Sequence, residues 1–238
     1  MKKFSSIFKF IFLISIFFLF SSRLSAEKFH LLFLSNTKKD SLMISQTDSL
    51  IENSNNLVCI FAKFQKELKF PHEIVFFNPK LFDDLVDSSE IKYPPIICSN
   101  VRNKADSSLF RFEPYKIVEL SDTMKIGIIS LVTPDFPHLF PKSSEQFSFR
   151  LNIFDCAKEV IAELIKQNVN FIIANNFLGK YLSKELSLRI PEIDFTVDSF
   201  EKIPEQYIRK TYNNRGILLL NYDKFSWLEF VVDIHQDK

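Results

Sequence analysis

Two runs decide the fold: Phe171-Ile-Ile-Ala-Asn-Asn-Phe-Leu-Gly179 and Ile193-Asp-Phe-Thr-Val-Asp-Ser-Phe-Glu-Lys202. Each begins as a buried strand and ends just beyond that strand's carboxyl end, where an α/β sheet places its chemistry. Catalysis there calls for histidines, aspartates or glycine turns. The first run ends instead on Asn175, Asn176 and Phe177, and the second offers a single aspartate, Asp198, followed by Ser199 and Phe200.

Upstream, Asn152 precedes Ile153, Cys156, Ala157, Val160, Ile161 and Leu164. That spacing predicts an amphipathic helix with an asparagine cap. Before it, Tyr115 to Leu120 and Lys125 to Val132 read as a hairpin turning at Ser121-Asp122-Thr123. Lys125 to Ala174 is therefore strand, helix, strand, which implies parallel pairing with a right-handed crossover. A helix over Leu178 to Arg189, stopped by Pro191, leads into a strand at Asp194 to Val197.

Towards the amino end, Lys28 to Leu34 reads as an opening strand and Ser35 to Asn56 as a polar loop. Leu57, Ile60, Phe61, Phe64 and Leu68 predict a helix from Leu57 to Lys69, with a strand at Glu73 to Phe77. Pro79 opens a helix bearing Leu81, Phe82, Leu85 and Val86, and Ile96-Ile97-Cys98 follows Pro94 and Pro95. Thr133 to Phe149, with three prolines, reads as a loop. Gly216 to Tyr222 and Trp227 to Ile234 read as a closing hairpin turning at Asp223-Lys224. Crossover units beside hairpins predict a layered α/β sandwich without an internal repeat.

Composition narrows the function. The 238 residues are 46% hydrophobic and 25% charged, enough for one domain with a real core. Only three glycines stand against 28 phenylalanines. So few glycines leave little backbone able to approach a phosphate closely, which argues against a glycine-rich nucleotide cradle. No G-x-S-x-G, Walker or H-E-x-x-H pattern occurs, and His30, His72, His138 and His235 share no ligand spacing. Cys59, Cys98 and Cys156 have no C-x-x-C spacing and read either as buried small hydrophobes or as one disulfide with a spare.

Residues 1–26 differ from the rest. Lys2, Lys3 and Lys9 precede an apolar run from Phe10 to Phe20, and Leu24-Ser25-Ala26 offers a cleavage site. This is the order of a secretory signal, and an 11-residue run is short for a spanning helix. Export to the periplasm or envelope of a bacterium is the expectation, with residues 27–238 as one domain. The membrane is then touched only if the segment stays uncleaved as an anchor. Four of the 30 basic residues lie in this segment, so 26 remain against 29 acidic ones, a net of about −3. Such a surface lacks the basic excess of a nucleic-acid binder.

The order of elements resembles the 5′-nucleotidase and cyclic-phosphodiesterase branch of the calcineurin-like metallophosphatases. The resemblance is carried by Pro95-Ile-Ile-Cys-Ser-Asn-Val101, Pro114-Tyr-Lys-Ile-Val118 and Lys125-Ile-Gly-Ile-Ile-Ser-Leu-Val-Thr133. Asn170-Phe-Ile-Ile-Ala174 with Leu178-Gly179, and then Ile193-Asp194, continue it in order, so it covers Phe29 to Ile234. It implies an α/β/β/α sandwich with mixed sheets, limited to the catalytic domain because the family's carboxy-terminal substrate domain has no counterpart here.

Those enzymes hold two divalent ions through Asp-x-His, Gly-Asp, Gly-Asn-His-Glu, a lone His and Gly-His-x-His motifs. Carboxylates and imidazoles keep the ions about 3.5–4 Å apart and generate the attacking hydroxide. By the resemblance, the first pair falls on Thr37 and Lys39, and the Gly-Asp segment is missing. Asn78 matches, but Pro79 and Lys80 replace the histidine and the acid. The lone histidine falls on Phe177 and the last pair on Phe200 and Lys202. A protonated lysine repels a dication and cannot coordinate it. A shifted register brings in only Asp40 or Asp198.

The expectation is a secreted, catalytically inactive scaffold that binds a small ligand or an envelope protein and needs no cofactor. One alternative is an active metal-dependent phosphoesterase with a rebuilt site, which would need a dinuclear metal centre. Another is a structural envelope protein without a ligand. An open pocket at Phe177 and Phe200 favours a small ligand, whereas a filled one favours a protein interface or a structural role.

Overall fold

The computed structural model describes residues 27–34, 57–61, 72–76, 96–104, 112–141, 145, 147–198, 200, 207–210, 216–219 and 227–234. The strands outside 96–200, and Asn103, are described by backbone pairing alone. The signal-like segment, the loop at 35–56, the helix expected after Pro79, and Thr37, Lys39, Asp40, Asn78, Pro79, Lys80 and Lys202 lie outside the described residues.

Two six-stranded mixed sheets form the frame. In the first, β1 (Glu27–Leu34) pairs in parallel with β2 (Leu57–Phe61) and antiparallel with β14 (Trp227–Ile234). Parallel pairing continues through β3 (His72–Phe76) and β4 (Ile96–Ile97) to β6 (Phe112–Glu113). In the second, β8 (Lys125–Ile129), β10 (Phe171–Asn176), β11 (Phe195–Asp198) and β13 (Gly216–Leu219) run parallel in that spatial order. Its antiparallel edges are β7 (Tyr115–Glu119) and β12 (Tyr207–Lys210). A small ladder pairs β5 (Val101–Asn103) with β9 (Phe147–Phe149).

The described helices are α1 (Phe136–Leu139), α2 (Ile153–Lys166) and α3 (Lys180–Arg189). The crossover read from Lys125 to Ala174 is present: α2 connects β8 to β10, which pair in parallel from Phe171↔Ile126 to Ala174↔Ile129. Asn152 caps α2, with Oδ1 accepting from the Asp155 amide at 3.3 Å. The buried stripe of α2 is the one its spacing predicts. Together with Leu186 and Ile190 of the α3 region, it packs on Ile129, Leu131, Ile172 and Ala174. Burying each such aliphatic side chain contributes roughly 1.5–3 kcal/mol. Gly127 lets the helix come close, since a Cβ there would lie 2.8 Å from Leu164 Cδ1.

Three expectations need correction. Leu57 to Phe61 is strand, not helix. A short apolar run inside a parallel sheet has no polar alternation, so periodicity cannot tell it from a helix face. The closing hairpin does not form: β13 pairs with β11 and β12 in one sheet, while β14 pairs with β1 in the other. Two adjacent apolar runs carry no mark of which sheet each will join. The stretch from Thr133 to Phe149 is not all loop, because it holds α1, whose first turn accommodates Pro137, and the strand β9.

Candidate functional site

The candidate site lies past the carboxyl ends of β8, β10 and β11. A parallel bridge between Val132 and Phe177 extends the β8–β10 pairing beyond both strands. The Phe177 amide donates to Leu131 O at 2.7 Å, and its carbonyl accepts from the Thr133 amide at 2.8 Å. Asn100, fully buried, fastens the neighbouring sheet to this end. Its Oδ1 accepts from the Val132 amide and its Nδ2 donates to Val132 O, both at 2.9 Å.

Phe177 and Phe200 come together here. Their rings meet edge to face with centroids 4.7 Å apart and planes at 89°. Phe140 lies 6.4 Å from Phe177, Phe136 lies 4.9 Å from Phe140, and Phe149 lies 5.0 Å from Phe136. This run of five rings packs with Ile96, Cys98, Val101, Val132 and Phe147 as a second core, and Phe177 is only 2% exposed. Each such ring pair adds about 0.5–1.5 kcal/mol to ordinary apolar burial.

Asp198 is the one charged side chain among the buried described residues, and its oxygens meet protein donors. Its Oδ2 accepts from the Leu178 amide (2.9 Å), the Gly179 amide (3.1 Å) and Ser183 Oγ (2.6 Å). Its Oδ1 accepts from the Phe200 amide at 3.0 Å. Gly179 is the N-cap of α3 at φ 87°, a left-handed conformation that glycine adopts without strain, so the carboxylate does the capping from the next strand. Burial pushes the Asp198 carboxyl up to about 6, against the pull of its four donors. Asp198 thus holds a helix end, with both of its oxygens engaged by protein donors.

Asn176 faces α3, its Nδ2 donating to Ser183 Oγ at 3.4 Å. Alternation along β10 turns Asn175 to the opposite face. Cys98 and Cys156 are free and buried, with the Cys156 thiol donating to Ser99 O at 3.1 Å. Burial pushes the Cys98 thiol up to about 12, so it is a packing group rather than a nucleophile. His138 lies in the last turn of α1. Among the described residues, no three His, Cys, Asp or Glu side chains group as metal ligands. The roles of Asn100 and Asp198 escape a reading of the sequence. Their signal, a lone polar residue inside an apolar run, is shared by many residues that do nothing.

No family model matches the sequence, and no curated protein does. Solved structures do. The NAD nucleotidase of Haemophilus influenzae superposes with a TM-score of 0.57 at 16% identity, over 87% of this chain and 48% of its own. The 5′-nucleotidase precursor of Thermus thermophilus gives 0.53 at 14%, over 88% and 55%. A calcineurin-like phosphoesterase of Bacillus subtilis gives 0.57 at 14%, over 88% of this chain and 87% of its own. The fold is that of the calcineurin-like metallophosphatases. The chain spans about half the length of the first two structures, and at these identities the likeness is one of fold.

Of the positions that the resemblance implies for a metal pair, Phe177 and Phe200 are the two among the described residues, and both offer hydrocarbon packed edge to face rather than donor atoms. A dication beside them would lose water without gaining a ligand.

Proposed function

We propose that this is an exported metallophosphatase-fold protein without phosphoesterase activity, retained as a binding or assembly scaffold. The observation that carries the reading is the Phe177–Phe200 contact at the carboxyl ends of β10 and β11. A metal-dependent hydrolase needs a low-pKa water held by ions at this place. Aromatic packing there supplies stability and excludes both ion and water. Because the rings fill the space between them, the scaffold works through its surface, with an envelope protein as partner rather than a small ligand in the cleft. Its near-neutral charge keeps nucleic acid out of the reading.

Purified mature protein incubated with nucleotide, cyclic-nucleotide and aryl phosphates in manganese, zinc or calcium should release no phosphate. Metal-dependent release abolished by Asn78→Ala would refute the reading and favour a rebuilt phosphoesterase site. Export rests on the Lys2–Ala26 pattern. Amino-terminal sequencing of envelope material should begin near Glu27, whereas a soluble cytoplasmic product starting at Met1 would exclude export.

A further inference from the structure

Helix α3 docks through a mixed face. Beside Leu186 it buries Ser183 and Ser187, while Tyr181 (78%) and Leu188 (49%) stand exposed. Beneath it the sheet offers Asn176, Thr196 and Asp198, all buried. The register sets Asn176 beside Asp198 and Ala174 beside Thr196, so a polar row faces a polar helix stripe.

The helix runs back against the strands. Ser183, near its start, bonds Asn176 and Asp198 at the carboxyl ends of β10 and β11. Beyond its end, Ile193 and Asp194 return to Ile190 and Ile172 near the beginning of β10. From Ser183 to Ser187 the helix rises about 6 Å. From Asp198 back to Thr196 the strand covers about 6.6 Å. Carried on from the bond between Ser183 and Asp198, these two spacings bring Ser187 towards Thr196, one helical turn further along.

Neither hydroxyl finds a hydrogen-bond partner among the described residues, and Asn176 Oδ1 finds none either. Two orphaned, buried hydroxyls that these spacings bring towards each other call for a molecule that can both donate and accept. Ala174, the neighbour of Thr196, presents only a methyl group to this seam. We propose that a buried water molecule bridges Ser187 Oγ and Thr196 Oγ1 between α3 and the sheet. Two polar partners are enough to hold such a water. The buried hydroxyl of Ser187 is thereby explained as its ligand rather than as a packing fault.

Thr196→Val tests this, because it exchanges a hydroxyl for a methyl of similar size. If the water is bound, Thr196→Val and Ser187→Ala each lower the urea midpoint, and the double variant falls scarcely further than either single one. A midpoint that stays or rises for Thr196→Val overturns the proposal, since removing an orphaned hydroxyl from a dry seam relieves the fold. A crystal structure of the unmodified protein gives a second reading independent of the variants. Water density within about 3 Å of both hydroxyls supports the site. A dry gap, or a direct bond between the two hydroxyls, overturns it.

Discussion

Ser183 Oγ donates to Asp198 Oδ2 across 2.6 Å, joining the first turn of α3 to the end of β11. With the amides of Leu178, Gly179 and Phe200, it directs four donors at one buried carboxylate. Asp198→Ala strands all four, so it should cost about 3 kcal/mol, measured by urea unfolding. Loss below about 1 kcal/mol would mean that α3 does not depend on this cap.

The same carboxyl predicts a pH effect of definite sign. Its folded value is raised from 3.8 to about 6, so between those values the folded protein holds a proton that the unfolded chain releases. Stability from this group is therefore fullest below pH 3.8 and declines as pH rises through 6. Compared with Asp198→Asn, the wild type should lose ground steadily from about pH 4 to about pH 7. Parallel stability profiles would contradict the assignment.

At the start of α2, Asn152 Oδ1 accepts from the Asp155 amide and its Nδ2 donates to Asp155 Oδ2. Asn152→Ala should lower stability by roughly 1 kcal/mol. An unchanged midpoint would show that the cap carries no weight.

Gly127→Ala probes the seat of the same helix. The new methyl would stand 2.8 Å from Leu164 Cδ1 and 3.0 Å from Val169 Cγ1. Leu164 is wholly buried and cannot swing clear, so a loss of about 1–3 kcal/mol is expected. Wild-type stability in this variant would place the helix farther from the sheet.

The second sheet was legible because its signals are local. Asn152 caps the helix that its own apolar stripe defines, and Phe171 to Ala174 follows directly as the partner of β8. The first sheet was less so. Leu57 to Phe61 carries a continuous apolar run, and Trp227 to Ile234 pairs with Glu27 to Leu34 from the far end of the chain. Nothing local encodes that partner. At the site, Phe177 and Phe200 were readable as positions without donors. That they touch each other, and that Phe140, Phe136 and Phe149 extend the contact, depends on α1 and β9 within a stretch read as loop.

Phe177 is the most informative single position. Phe177→Ala should cost about 3–5 kcal/mol, because it empties a filled aromatic contact. Phe177→His should bring no phosphatase activity, since one imidazole among Phe200 and its neighbours does not rebuild a two-ion site. Metal-dependent turnover in that variant would mean that the other ligands survive.

The central claim is that this metallophosphatase fold no longer holds a metal pair, and metal content tests it most directly. Mature protein purified without chelator, dialysed against manganese and zinc and then against metal-free buffer, should retain well under one ion per chain by elemental mass spectrometry. Retention approaching two ions per chain, lost together with phosphoesterase activity on chelation, would contradict the account.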